Sequence, residues 1–130
     1  MKKKIFSVLL GTSLVLSSFS ISEAATQPEV KRLSGTNRYS TSVAVSKSYY
    51  ESSKEVVVAS GEGFADALVG GTLSAQLNAP LLLTSSKALP EDVKNEISRL
   101  GAEKIYLLGG AETVKPEVEA KLSEIASVKR

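Results

Sequence analysis

Residues 55–68 read Glu-Val-Val-Val-Ala-Ser-Gly-Glu-Gly-Phe-Ala-Asp-Ala-Leu. Glu55 to Ser60 carries three consecutive valines with no polar alternation, the pattern of a strand covered on both faces. Gly61-Glu62-Gly63 reads as a turn, because glycine takes backbone conformations that other residues avoid. Phe64 to Leu77 then reads as a helix. A buried strand passing through a glycine turn into a helix is the building unit of a parallel α/β sheet.

The unit recurs on both sides. Pro80 to Thr84 is a strand, Ser85 to Leu89 a loop, and Pro90 to Leu100 a helix. That helix starts with proline followed by Glu91 and Asp92, as the helix dipole favours. Its apolar residues Val93, Ile97 and Leu100 fall at i, i+4, i+7, and Gly101 stops it. Lys104 to Leu108 is the next strand, and Gly109-Gly110 turns. Pro116 opens a helix whose stripe is Val118, Leu122 and Ile125. Upstream, Val30 to Leu33 is expected to be a first strand and Ser34-Gly35 a turn. Thr36 is expected to cap a helix running to about Glu51. The expected order is βαβαβαβα: an α/β fold with a doubly wound, mostly parallel sheet, Rossmann-like or flavodoxin-like, with helices on both faces.

The N-terminus has a different character. Lys2, Lys3 and Lys4 precede an apolar stretch, Ile5 to Leu16, too short to span a bilayer. Ser22-Glu23-Ala24 then places small residues where signal peptidase reads them. A signal peptide is expected over 1–24, with cleavage after Ala24 or Ala25, then a linker over 25–29 and one domain over 30–130. No later stretch is apolar enough to cross a membrane. Removing residues 1–24 leaves 13 basic and 13 acidic residues. A broad basic surface for nucleic acid is therefore not indicated. The chain has no cysteine and no histidine, which removes disulfides, Cys/His metal sites and the Ser-His-Asp and Cys-His arrangements. No metal, no cofactor and no catalytic residue is expected.

In open parallel sheets, ligands bind outside the carboxyl ends of the strands. Four small polar loops are expected on that edge, supplying Asn37, Arg38, Gly61, Gly63, Thr84, Gly109 and Gly110 as candidate contacts to an anionic ligand. Each has a plainer reading as well. Gly61, Gly63, Gly109 and Gly110 suit tight turns, and Arg38 can pair within the domain. Asp66 suits the first turn of its helix, and Glu62, Asp66 and Glu112 add negative charge to the same edge. The second helix is small on more than one side, with Ala67, Gly70, Gly71 and Ser74. These residues serve either close packing on the sheet or contact with another copy. Finally, Val128-Lys129-Arg130 repeats Val30-Lys31-Arg32 at an offset of 98 residues. It falls where a next repeat would begin, which suggests a unit of a tandem array or a single-unit relative of one.

Four stretches, in order and spacing, resemble the signature of the clostridial and bacillar cell-wall-binding repeat of type 2. They are Arg32 to Ala44 (Arg-Leu-Ser-Gly-Thr-Asn-Arg-Tyr-Ser-Thr-Ser-Val-Ala), Ala59 to Leu68, Ala79 to Thr84, and Ile105 to Gly110. The resemblance covers about Val30 to Ile125. It implies non-covalent anchoring of an exported protein to anionic polymers of a Gram-positive wall. Members of that family include surface-layer-associated proteins and autolysins with a separate amidase domain. Their repeats usually come in threes around a pseudo-threefold axis. This chain departs in holding one repeat without an effector domain, and in having Asn37 where aspartate is common. A homotrimer would restore the usual arrangement. Two other readings stay open. One is an interaction or regulatory module pairing with other repeat-bearing proteins. The other is a wall-polysaccharide enzyme using Glu62 and Asp66.

Overall fold

The computed structural model describes residues 28–130, so the signal peptide expected over 1–24 lies outside the described residues. Residues Lys31–Arg130 form one unit. Its elements are α1 (Arg38–Tyr49), β1 (Glu55–Ser60), α2 (Ala65–Leu77), β2 (Leu81–Thr84), α3 (Glu91–Leu100), β3 (Lys104–Leu107), α4 (Pro116–Ser123) and β4 (Ser127–Lys129). The sheet runs β2-β1-β3-β4 and every pairing is parallel. The three valines of β1 are fully buried, as a central parallel strand requires.

The main core lies on one face. Val56, Val58, Leu82, Ile105 and Leu107 of the sheet meet Val43 of α1, Val93, Ile97 and Leu100 of α3, and Val118 and Leu122 of α4. On the other face α2 packs over β1 and β2. Gly70 is the buried residue of that helix, and a Cβ there would lie 2.9 Å from Leu108 Cδ1 and 3.1 Å from Leu81 Cδ1. Its missing side chain lets α2 sit close to the sheet. Next to it, a Cβ at Gly71 would meet nothing within 4 Å. Ser74 Oγ donates to the Ala79 carbonyl at 2.5 Å, which ties the end of α2 to the start of β2. Two of the four small residues of α2 are thus used within the chain.

The expected first strand, Val30–Leu33, is not formed: residues 28–35 hold no strand. A strand needs a partner, and the free sides of β2 and β3 are both taken. At the β2 edge, α1 lies alongside and the Leu83 N–H donates to Ser42 Oγ at 3.1 Å, so a helix hydroxyl replaces a neighbouring strand. At the other edge β4 pairs with β3 in the register Lys104↔Ser127, Ile105↔Val128, Tyr106↔Lys129. The segment expected to open a next repeat therefore closes this one, and the order is αβαβαβαβ. The cap of α1 is Asn37 rather than Thr36. Asn37 Oδ1 accepts the Ser40 N–H at 2.9 Å, and Ser40 Oγ accepts the Asn37 N–H at 3.0 Å, a reciprocal capping box.

A charged cluster fastens α1 to α3. The Glu96 side chain is 0 % exposed. Its carboxylate accepts Arg99 Nε and Nη2, both at 2.7 Å, and Ser46 Oγ at 2.5 Å. Arg99 also donates from Nη1 to the Glu51 carbonyl and from Nη2 to the Tyr50 carbonyl, both at 2.9 Å. Burial pushes the Glu96 pKa up, but the hydrogen bonds from Arg99 and Ser46 and the charges of Arg99 and Lys47 outweigh it. The carboxyl is held below its ordinary value.

Candidate functional site

β1, β2 and β3 end on the same side, because all the strands are parallel. The helix N-termini and their loops gather there. Arg38, the first residue of α1, reaches the loop after β1, and its Nη1 donates to the Gly61 carbonyl at 2.5 Å. A Cβ at position 61 would stand 2.8 Å from Tyr39 Cε1 and 3.0 Å from Arg38 Cδ. Glycine at 61 is what admits α1 so close to β1.

Two cavities meet at this arginine. One, of about 480 Å³, lies between α1 and α2 and is lined by Val45, Tyr50, Pro80 and Leu81 among others. The second, of about 390 Å³, is bounded by Ser60, Gly61, Glu62, Gly63 and Phe64. Arg38, Ala67 and Leu83 line both. The result is a groove with an apolar floor, one guanidinium at its midpoint, and Phe64, 78 % exposed, at one end. A few polar groups over an apolar lining is the usual make-up of a small-ligand site.

Glu62 sits in the same groove, but its carboxylate is engaged. It accepts Ser86 Oγ at 2.6 Å, Ser85 Oγ at 2.8 Å and the Ser86 N–H at 3.1 Å. Those hydrogen bonds, from Ser86 first and then Ser85, lower its pKa to about 2 from an ordinary 4.5. A depressed folded-state pKa adds stability above the unfolded value near 4.5, and that contribution is lost as pH falls toward about 2. Glu62→Gln is therefore expected to narrow the stability gap between wild type at pH 5 and at pH 2.5. Denaturant titrations of both proteins at the two pH values check this; an unchanged gap would mean that the serine cradle contributes nothing to folding.

The seven expected contact residues divide. Arg38, Gly61 and Gly63 line the groove. Asn37 lies beside it with its side chain used in the α1 cap. Thr84 is fully buried, and its hydroxyl lies within hydrogen-bond reach of the Ser85 and Ala88 carbonyls at 3.2 and 3.3 Å. Gly109 has a φ of +97°, and its carbonyl accepts Arg130 Nη1 at 2.7 Å. The Gly110 carbonyl accepts the Thr113 and Val114 N–H groups at 3.0 Å. Thr84, Gly109 and Gly110 thus hold their own loops and do not line either cavity. Sequence reading missed the apolar part of the groove, namely Phe64, Leu83 and Tyr50. Phe64 carried a signal: a large aromatic directly after a glycine turn, at a helix start where packing does not call for one. Among the described residues there is no group of three or more acidic side chains placed to hold a metal ion, and no helix long and apolar enough to cross a membrane.

Together, the four-stranded parallel sheet and the groove at Arg38 define a small α/β domain. The chain belongs to the cell wall binding domain 2 (CWB2) family, whose model matches residues 32–119. It is 33 % identical over 102 residues to the N-acetylmuramoyl-L-alanine amidase LytC of Bacillus subtilis (strain 168), covering 78 % of this chain and 21 % of that protein. It is 32 % identical over 99 residues to the amidase enhancer of the same organism, covering 76 % of this chain and 14 % of that protein. Among solved structures it resembles Cwp8 from Clostridium difficile (TM-score 0.68, 32 % identity, 78 % of this chain, 17 % of that one). It also resembles Cwp6 from the same organism (TM-score 0.71, 25 % identity, 82 % of this chain, 19 % of that one). The chain spans about a fifth or less of the length of each of these relatives.

Proposed function

We propose that this chain is a non-catalytic module that is exported and holds to anionic polymers of a Gram-positive wall through the groove at Arg38. One observation carries the reading: a single guanidinium stands between two apolar-floored cavities with an exposed aromatic ring at one end. A sugar offers an apolar ring face that suits Phe64 and Leu83, and a phosphate or carboxylate on the polymer suits Arg38. Among the described residues, the one hydrogen bond of the Arg38 side chain is that from Nη1 to Gly61, so the rest of its donor fork remains for a ligand. Membership of the wall-binding family and the absence of histidine and cysteine support the same reading.

Leu68 and Val69 of α2 are 69 % and 67 % exposed, which favours contact between copies of the module. A homotrimer formed there would present several grooves at once, so that a weak single-site affinity multiplies. The expected result for Arg38→Ala is at least about tenfold weaker co-sedimentation with purified walls, a loss of charge-assisted contact, in a domain that still folds and whose unfolding midpoint falls only by the loss of the Gly61 hydrogen bond. Arg38→Lys keeps the charge but not the fork and is expected to fall between the two. Wild-type binding to walls stripped of anionic polymer would overturn the polymer assignment. Light scattering on the same samples reads the oligomeric state.

A further inference from the structure

β4 is held to the sheet by more than its backbone. Arg130, next to it, donates from Nε and Nη2 to Glu119 Oε2 at 3.0 and 2.5 Å, from Nη1 to the Gly109 carbonyl at 2.7 Å, and from Nη2 to the Val114 carbonyl at 3.2 Å. One carboxylate and two carbonyls thus converge on a guanidinium that follows a Val-Lys strand. The same three residues occur at Val30-Lys31-Arg32. There they form no strand, Val30 is 92 % exposed, and Arg32 is exposed. The offset of 98 residues places Glu29 at the position of Ser127, Val30 at Val128, Lys31 at Lys129 and Arg32 at Arg130.

We infer that Val30-Lys31-Arg32 is a docking strand for a second copy of this chain, where it takes the place on β3 that Val128-Lys129-Arg130 takes within one chain. The chemistry of the receptor is already built: β3 offers the parallel ladder, and Glu119 with the Gly109 and Val114 carbonyls receives the arginine. Main-chain pairing supplies the attachment and the arginine fixes the register. Asn37, five residues beyond Arg32, already caps α1, so the docked strand is closely coupled to the body of its own chain. The intramolecular strand competes for the site and holds the advantage of proximity. Exchange between intact copies is therefore slight, and loosening the resident strand promotes it.

The cysteine-free chain allows a direct test by disulfide trapping. In the inferred register, Glu29 of one copy stands opposite Lys104 of the other, as Ser127 does in cis. Adjacent strands lie about 4.8 Å apart, within disulfide range. Full-length donor chains carrying Glu29→Cys are mixed with differently tagged receivers carrying Lys104→Cys under a glutathione redox buffer. Receivers are prepared with the resident strand intact, with Arg130→Ala, and with Arg130→Ala plus Val128→Pro. The expected result is a donor–receiver disulfide whose yield rises at least about tenfold as the resident strand is loosened, and falls to background when the donor also carries Arg32→Ala. The Ser127→Cys/Lys104→Cys chain, cross-linked within itself, verifies the geometry. The inference is overturned if the loosened but folded receivers trap no donor. It is equally overturned if a Lys87→Cys receiver, distant from β3 in sequence, traps as much. Arg130→Ala alone leaves the β4 backbone unaltered and keeps the test valid if the double variant does not fold. No wall is present, so the outcome is independent of polymer binding.

Discussion

Replacing Arg99 with alanine is expected to lower the unfolding free energy by about 3 kcal/mol or more, the usual cost of stranding a buried charge. Glu96 is the reason. Its side chain has no exposure to water, and two of its three hydrogen bonds come from Arg99. Without them the carboxylate keeps only the Ser46 hydrogen bond and the charge of Lys47 against burial, which drives it toward protonation. The change also releases the Tyr50 and Glu51 carbonyls, which Arg99 holds at 2.9 Å, so the seam between α1 and α3 loosens. A domain of this size is stable by only about 5–15 kcal/mol, so the loss is a large share of the total. Arg99→Lys is expected to recover little, since one ammonium cannot reproduce the fork. Equilibrium denaturation checks this, and the decisive comparison is Glu96→Leu with Arg99→Leu. If that apolar pair is as stable as wild type while Arg99→Ala is not, the damage comes from the orphaned charge rather than from lost packing. A change under about 0.5 kcal/mol for Arg99→Ala would show that water reaches Glu96 freely.

Gly109→Ala carries the second large effect. The residue adopts a φ of +97°, outside what side-chain-bearing residues accept, which costs about 1–3 kcal/mol in itself. In addition, a Cβ would stand 2.5 Å from Asp66 Oδ2 and 3.2 Å from Thr113 Cβ. The Asp66 carboxylate can swing aside, whereas Thr113 in the β3–α4 loop must give way by a few tenths of an ångström. The expected total is about 2–4 kcal/mol, strain and overpacking together. Gly110→Ala is the built-in control, because a Cβ there would meet nothing within 4 Å. Its expected effect is within about 0.5 kcal/mol. Thermal melts of the two variants check the contrast. Equal losses would mean that the loop as a whole, and not the φ at 109, is what the fold depends on.

The middle of the molecule was legible in the chain because its signals are local. A run of valines followed by Gly-Glu-Gly places β1 and the start of α2, and Val93, Ile97 and Leu100 orient α3 without reference to anything distant. What was not legible depends on partners far away in sequence. The pattern at Val30–Leu33 is that of a strand, but no local pattern says whether a neighbouring strand exists, and here α1 and β4 occupy the free sides of β2 and β3. Val128–Lys129 has the pattern that opens a next repeat, and only its distant partner β3 makes it the last strand of this one. Glu96 looks like any exposed helix residue until Ser46, fifty positions earlier, and the turned-back Arg99 enclose it. In the groove, Arg38 and Gly61 are both expected on the carboxyl edge, and their contact at 2.5 Å joins them directly. The apolar floor escaped notice because Leu81 and Leu83 read as ordinary strand residues, and their partial exposure follows from how little of that face α2 covers.

The hydroxyl of Ser42 that covers the Leu83 amide gives the sheet a direction. One flank is sealed by a helix, while the other ends in a three-residue strand with a lysine. Two copies therefore do not join flank to identical flank through β2, and the two-fold route to edge pairing is closed on that side. Strand pairing between copies is left to the β4 edge, where β4 against β4 would be two-fold and a strand added head to tail would close into rings or continue as filaments. The position of one serine thus confines strand-mediated contact between such molecules to a single flank.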